Sequence, residues 1–155
     1  MNILGIDPGL SGGICLLNQT TRAVYNLSTM PESILGFLQL LQGERASIAH
    51  CYLEKAQAMP KQGVSSMFTY GKHFGELIGV LTALAVPFTL VTPHSWQRSI
   101  HAGTDSHLTA KERTLQAAMR LYPDQTFLAG PRCRKVDFGL VDALMIAEYG
   151  VRTIR

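Results

Sequence analysis

Charged residues are scarce in this chain of 155 residues, and fewer of them are acidic than basic. Only 16% of the residues are charged, with 11 Asp and Glu against 14 Lys and Arg, while 46% are hydrophobic. This balance excludes a disordered chain and indicates an ordered globular protein. No apolar run reaches the ~18 residues of a membrane span, so a transmembrane protein is not expected. At this length we expect one domain, residues 1–155, with a sizeable core.

Cysteines are also few, and neither a leader sequence nor an internal repeat is visible. The three cysteines, Cys15, Cys51 and Cys133, lie far apart without a CxxC pair, so neither a disulfide framework nor a zinc site is predicted. We expect them to be buried as small hydrophobic side chains. No basic n-region, Arg/Ser-rich leader, internal repeat or low-complexity tract is visible, and a cytoplasmic protein of bacterial or phage type is expected.

Four of the few carboxylates stand at the edges of apolar segments. Asp7 directly follows the apolar run Asn2-Ile-Leu-Gly-Ile, and Glu54 directly follows the apolar residues 48–53. Asp137 and Asp142 flank the start of a third apolar segment. A buried carboxylate without a compensating cation is costly, and no Lys or Arg recurs beside these four. If the fold brings them together, their oxygens would form a cage for Mg²⁺ or Mn²⁺, which hydrolysis of a phosphodiester requires.

Each acid also has a plainer structural explanation. Asp137 can be a helix N-cap, and Asp7 a turn residue before Pro8-Gly9. Glu54 and Asp142 are harder to explain in this way, because surface acids rarely interrupt apolar runs. Asp137 and Asp142 are five residues apart and would diverge by ~140° on a regular helix. Asp137 is therefore expected at or before the first turn, where the helix dipole favours a carboxylate.

Hydrophobic periodicity predicts an α/β fold with the order βββαβαβ followed by helices. The predicted strands are residues 2–6, 13–17, 23–27, 48–53 and 87–91, and the predicted helices are residues 32–41, 66–84, 95–100, 110–121 and 138–149. Gly43 and Gly150 are expected to end two of these helices. The first three strands read as an antiparallel meander, and the 66–84 helix joins a parallel pair. Asp7 and Glu54 would then be neighbours, because the first strand is central and the fourth lies beside it.

Basic side chains are concentrated after the first third of the chain, which favours a polyanionic partner, although an ordinary solvated surface explains them equally well. Lys111, at the start of a predicted helix, is a candidate for phosphate contact or a plain surface lysine in a capping turn. Arg134 and Lys135 lie in a predicted basic loop, residues 131–135. Trp96 is expected in the core.

Several motifs, taken in their order along the chain, resemble those of the RuvC-like Holliday junction resolvases of the ribonuclease H superfamily. They are Ile3-Leu-Gly-Ile-Asp7-Pro-Gly-Leu-Ser-Gly, Tyr52-Leu-Glu54 and Asp142-Ala-Leu-Met-Ile-Ala147. Val91-Thr-Pro93-His-Ser-Trp96 and Thr109-Ala-Lys111-Glu112 are similar to motifs of the branch that contains the chloroplast resolvase and related phage and bacterial proteins. One departure concerns the fourth ligand. Bacterial RuvC proteins carry it three residues before the last acid, where this chain has Gly139, and the plastid-like branch carries a His where this chain has Asp137.

The resemblance implies a ribonuclease H-like fold with a five-stranded mixed sheet, and a crossover junction endonuclease that leaves 5′ phosphates. It implies two Mg²⁺ or Mn²⁺ ions ~3.5 to 4 Å apart, bridged by Asp7, held by Glu54 and Asp142, and completed by Asp137. The loop after Glu54 would enter the junction, with Gln57, Met59 and Lys61 against the bases. The implied partners are four-way DNA, a second copy of the chain in a homodimer, and recombination or branch-migration proteins.

Other functions compete with this interpretation. A nuclease of the same fold acting on RNA or RNA/DNA hybrids would be monomeric and would prefer hybrids to branched DNA. A nucleotide-binding fragment of the actin and sugar-kinase type would need a second domain and a second phosphate loop. A binder of DNA structure without catalysis would not need four retained acids.

Overall fold

The computed structural model describes residues 1–57 and 63–154, and its centre is a five-stranded mixed sheet. The strands are β1 (Asn2–Asp7), β2 (Gly13–Asn18), β3 (Val24–Thr29), β4 (Ile48–Glu54) and β5 (Phe88–Val91). Their spatial order is β3-β2-β1-β4-β5. The first three strands pair antiparallel, whereas β4 pairs parallel with both β1 and β5. The predicted meander and the central position of the first strand are confirmed.

Five α-helices cover the two faces of the sheet. They are α1 (Ile34–Glu44), α2 (Val64–Ala83), α3 (Pro93–Ile100), α4 (Ala110–Leu121) and α5 (Phe138–Thr153), and a short 3₁₀ turn (Arg45–Ser47) leads into β4. None of the helices in the described ranges is long and apolar enough to cross a membrane.

The core consists of two apolar layers because side chains alternate along each strand. On one face Ile3 and Cys15 pack with Trp96 of α3 and with the apolar side of α5. On the other face Leu4 and Leu16 pack with helices α1 and α2. α5 is buried along almost its whole length, and it contacts β1, β2 and β4. The sheet is therefore enclosed between α1 and α2 on one side and α3, α4 and α5 on the other.

Several predicted boundaries were wrong, and two of them concern glycines. α5 runs through Gly150 to Thr153, because Gly150 lies against other side chains: a Cβ added there would be 2.5 Å from Tyr52 Cδ2 and 2.7 Å from Ile3 Cγ2. Similarly, α1 continues through Gly43 to Glu44. The third strand starts one residue later and ends two residues later than predicted, since Thr29 pairs with Gly13. Among the cysteines, Cys15 and Cys51 are buried as expected, whereas Cys133 is exposed.

Candidate active site

Asp7 and Glu54 lie at the same edge of the sheet. Each is the last residue of its strand, and β1 and β4 run parallel with Ile6 paired to Leu53. Parallel neighbours in register carry their final side chains to one edge, so two acids meet where the sheet ends. The predicted proximity of Asp7 and Glu54 follows from this register.

α5 reaches this edge because glycines let it approach the sheet closely. A Cβ at Gly139 would lie 2.3 Å from the carbonyl oxygen of Ser11, and one at Gly13 would lie 2.5 Å from the carbonyl oxygen of Gly139. Further along the helix, a Cβ at Gly5 of β1 would lie 2.3 Å from the carbonyl oxygen of Ala143. No side chain fits between these backbones. The helix therefore starts directly above the ends of β1 and β2, and this places Asp142 beside Asp7.

An open cleft of about 330 Å³ joins three of the four predicted acids to one lysine. Its lining consists of Asp7, Ser11, Lys111, Val136, Asp137, Phe138, Gly139 and Asp142. Lys111 comes from the first turn of α4, where Thr109 and Glu112 form a capping box, and its Nζ lies 5.3 Å from the centroid of the Phe138 ring. Lys111 is thus both a capping-turn lysine and the cation of the cleft.

The carboxylates of the site raise one another's pKa. Burial, followed by the charges of Asp7 and Glu54, raises the pKa of Asp142 to about 8, and Lys111 opposes this shift. Burial also raises the pKa of Asp7; the charge of Asp137 adds to this, while the Gly9 N–H and Lys111 act against it. Such clustering destabilises the ionised forms, so the site attracts a compensating cation.

Glu54 is not part of the cleft lining, but its position is set by a buried tryptophan. Trp96 Nε1 donates a hydrogen bond of 2.6 Å to Glu54 Oε2. Burial raises the pKa of Glu54 to about 7, the Trp96 bond lowers it, and the charge of Asp7 raises it. Trp96 was predicted to be a core residue, and it is fully buried. Its contact with an acid was missed because a core tryptophan 42 residues away carries no local signal of its partner.

Asp137 meets both descriptions that the sequence left open. It is the N-cap of α5, and its Oδ1 accepts hydrogen bonds from the N–H groups of Gly139 at 2.9 Å and Leu140 at 3.4 Å. It also lines the cleft, and its charge raises the pKa of Asp7. The cap occupies one carboxylate oxygen, and no further side-chain partner of Asp137 is seen in the described ranges.

Tyr70 was not predicted to be near the acids. Burial and then the charges of Asp7 and Glu54 raise the pKa of its hydroxyl to about 12. Tyr70 comes from α2 and lines a second depression, which shares Ser11 with the acidic cleft. Tyr70 falls within the predicted 66–84 helix, and its spacing there does not distinguish a hydroxyl at the site from a packed ring.

The remaining candidates for DNA contact are dispersed. Gln57 is exposed just beyond β4, and Met59 and Lys61 lie outside the described residues. Arg134 and Lys135 are exposed in the segment before α5, immediately ahead of Val136, which lines the cleft. Of this set, Lys111 alone is seen to line the acidic cleft.

The donor set suits a hard divalent cation, although it is not arranged as a finished coordination shell. Within residues 1–57 and 63–154, no three His, Cys, Asp or Glu side chains come close enough together to hold one ion. The ligands available are carboxylate oxygens, which Mg²⁺ and Mn²⁺ prefer, and their pKa values are raised by burial and by neighbouring negative charges that a divalent ion would neutralise. We conclude that the residues fit such an ion chemically.

The solved structures with a similar fold include two of RuvC from Thermus thermophilus. One has a TM-score of 0.64 at 18% sequence identity, and the other, RuvC in complex with a Holliday junction substrate, has a TM-score of 0.65 at 17% identity. Each match covers 99% of this chain and 96% of the RuvC chain. The chain has the ribonuclease H-like fold of RuvC. No protein-family model and no curated protein matches the sequence.

The match with RuvC confirms the predicted fold class, an α/β five-stranded mixed sheet with flanking helices. It supports a RuvC-like chain in general and gives no support to the predicted closeness to the chloroplast branch. At these identities the likeness to RuvC concerns the fold, and any activity has to be argued from the residues of the site.

Proposed function

We propose that this protein is a Holliday junction resolvase, a structure-selective endonuclease that hydrolyses phosphodiesters with the help of divalent metal ions. The observation that carries the proposal is the meeting of Asp7, Glu54 and Asp142 at one sheet edge, where burial, together with the charges of Asp7 and Glu54, raises the pKa of Asp142 to about 8. The RuvC fold supports it, since one of the RuvC structures holds a Holliday junction substrate.

Each residue of the cleft has a part in this proposal. Asp7, Glu54, Asp142 and Asp137 would hold two Mg²⁺ or Mn²⁺ ions, and such ions would supply activation of a water and stabilisation of the leaving 3′ oxygen. Lys111, the cation among the acids, contacts the phosphate that they would otherwise repel. Trp96 holds Glu54 through its indole N–H. Arg134, Lys135 and Gln57 contact DNA at the rim, and Met59 and Lys61, which lie outside the described residues, are further candidates for DNA contact. The products carry 5′ phosphates.

We further propose that the active form is a homodimer, because paired cuts in a four-way junction need two sites related by a two-fold axis. α2 offers a surface for it. One face carries exposed Val64 (86%) and Phe68 (75%), followed by Gly71, Gly75 and Gly79, where an added Cβ would meet nothing within 4 Å. We call these five residues the α2 stripe. An apolar patch next to a flat glycine surface allows a second helix to approach closely. Recombination or branch-migration proteins would act with this dimer.

The function is tested with a synthetic four-way DNA junction labelled in turn on each strand. In Mg²⁺ or Mn²⁺ we expect symmetrical nicks with ligatable 5′ phosphates, whereas in Ca²⁺ we expect binding without cleavage. The control is Asp7→Asn, which removes one carboxylate and should bind the junction without cutting it. Equal cleavage of a linear duplex would contradict the proposal, as would a preference for an RNA/DNA hybrid, which would indicate a different nuclease of the same fold.

A further inference from the structure

A further cavity, of about 340 Å³, lies along α3 and α4 and is lined by two arginines and two histidines. Its lining consists of His94, Gln97, Arg98, His101, Ala102 and Arg113. Two arginines and two histidines therefore face one hollow, and the lining includes no carboxylate. The guanidinium groups of Arg98 and Arg113, in an opening without acids, carry a positive potential that attracts anions.

The basic residues share a face because of their spacing on α3. Residues 94, 97, 98 and 101 recur at three and four positions, which is one side of a helix, while Trp96 and Ile100 on the other side are fully buried. The core thus fixes the orientation of α3 and leaves His94 and Arg98 exposed, whereas His101, the residue after the helix, is buried with its Nε2 2.8 Å from Thr114 Oγ1. Arg113 approaches from the second turn of α4.

Arg113 is held in place by neighbours that do not neutralise it. Its Nε donates to Thr104 Oγ1 at 2.9 Å, and its Nη2 donates to the carbonyl oxygen of His101 at 3.3 Å. Arg98 is exposed, and it makes no hydrogen bond or ion pair with the residues that the structure describes. A fixed guanidinium beside an uncommitted one is suited to the oxygens of a phosphate, which accept paired N–H bonds.

The cavity lies close to the acidic edge of the sheet. α3 begins two residues after β5, whose last residue, Val91, pairs with Glu54. The basic face extends from His94 to His101, seven residues or about 10 Å along the helix axis. Phosphates of one DNA strand repeat every ~3.4 Å along the duplex axis, so a strand at the acids carries further phosphates past this face.

From this geometry we propose that the His94–Arg98–Arg113 cavity binds a phosphate group, supplied by the backbone of a junction arm that enters the candidate active site. That the bound phosphate belongs to DNA rests on the proposed function, whereas the existence of the phosphate site does not. The cavity acts as an anchor outside the acid cluster. It binds without regard to base sequence, because phosphate contacts carry no sequence information.

Arg98→Gln is the decisive variant, because Arg98 is exposed and its loss breaks no hydrogen bond or ion pair within the described residues. Binding of the intact protein to a four-way junction is measured in Ca²⁺ at several NaCl concentrations. We expect Arg98→Gln to weaken binding by roughly tenfold and to reduce the slope of log K against log salt by about one. Lys72→Gln is the matched control, since it removes an exposed lysine from α2, and its slope should equal that of wild type.

A second measurement separates the phosphate site from the DNA. Inorganic phosphate is titrated into the metal-free protein at constant ionic strength while the ring signals of His94 and His101 are followed by NMR. Saturating shifts that weaken in Arg98→Gln support the phosphate site. If wild type gives these shifts but fails to bind junctions, the failure counts against the proposed function and not against the phosphate site. Saturating shifts with an unchanged salt slope would keep the phosphate site and overturn the DNA backbone as its source. Absence of both effects would overturn the inference entirely.

Discussion

At the scale of single residues, Asp137 caps a helix and lines the acidic cleft, where we propose that it also holds a metal ion. Its Oδ1 accepts two backbone N–H groups at the start of α5, and its charge reaches Asp7. A cap needs only an oxygen acceptor, whereas a ligand for a hard cation is best as an ionised oxygen. The two roles therefore separate when the charge is removed and the acceptor is kept.

We predict that Asp137→Asn lowers cleavage by roughly 100-fold with a free energy of unfolding within about 1 kcal/mol of wild type, because Asn caps as well as Asp. Asp137→Ser, which also caps without charge, should behave alike. Single-turnover cleavage and urea unfolding measure the two effects. Near-normal cleavage by Asp137→Asn would reduce this residue to a cap and leave Asp7, Glu54 and Asp142 as the ligands.

The raised pKa of Asp142 predicts how the free energy of unfolding depends on pH. Its pKa is about 8 in the folded chain and near 3.8 when unfolded, so between these values the folded chain keeps a proton that the unfolded chain has lost. This stabilising contribution is complete below about pH 4 and disappears as the pH rises through 8. The Glu54 carboxyl, with a pKa of about 7, acts in the same direction.

In chelator, wild type should therefore lose stability between pH 5 and pH 9, and Asp142→Asn should lose less and be the more stable protein at pH 9. Urea unfolding at several pH values measures this. Added Mg²⁺ should restore wild type at pH 9 and help the variant little, because the repulsion it relieves is already gone. Parallel pH curves for the two proteins would contradict the assigned pKa shift.

At the scale of elements, β5 and α3 place a tryptophan under the end of β4. The Trp96 hydrogen bond lowers the pKa of Glu54, so its removal should raise that pKa further. We predict that Trp96→Phe moves the acidic limb of the pH–rate profile to higher pH and weakens activation by Mg²⁺ by about 10- to 100-fold. Cleavage followed across pH and metal concentration tests this, and an unchanged acidic limb would show that Trp96 only fills the core.

The sequence predicted the elements well because strands and helices leave periodic patterns. α4 was placed at residues 110–121, where it lies. The rotation of α5 was not predictable, since it depends on close backbone contacts of Gly5 with Ala143 and of Gly13 with Gly139, which no spacing in the chain reveals. The same applies to Trp96 and Tyr70, which reach the acids from distant segments. Local pattern therefore placed the ligands on their elements, and tertiary packing decided their neighbours.

Gly139 tests how closely α5 must approach the sheet. An alanine Cβ there would collide with the backbone of Ser11 and Gly12, so we predict a loss of about 1–3 kcal/mol in unfolding free energy and a large loss of cleavage. Gly43→Ala is the matched control, because its Cβ would meet nothing within 4 Å, and it should stabilise α1 by roughly 0.5–1 kcal/mol. Calorimetry and junction cleavage compare the two. Normal cleavage in Gly139→Ala would show that the site tolerates a displaced helix.

At the scale of the whole molecule, a single chain offers one acidic cleft, and a four-way junction presents two strands to be cut. The α2 stripe is the surface we assign to the second copy. Leu77 and Leu81, on the opposite side of the same helix, are fully buried in the core of the chain itself. α2 can therefore lose its outer contacts without losing its place on the sheet, and dimerisation is separable from folding.

We predict that Phe68→Glu gives a folded monomer, because Phe68 is 75% exposed and a charge in a two-fold interface faces its own copy. Light scattering should report half the wild-type mass, with little change in melting temperature. Leu35→Glu is the control, since Leu35 is 58% exposed on α1, outside the stripe, and should remain dimeric. On a plasmid cruciform the monomeric variant should produce single nicks instead of paired cuts, because the two strands of the junction are then cut in independent encounters. Paired cutting by a protein shown to be monomeric would disprove the dimer as the active form.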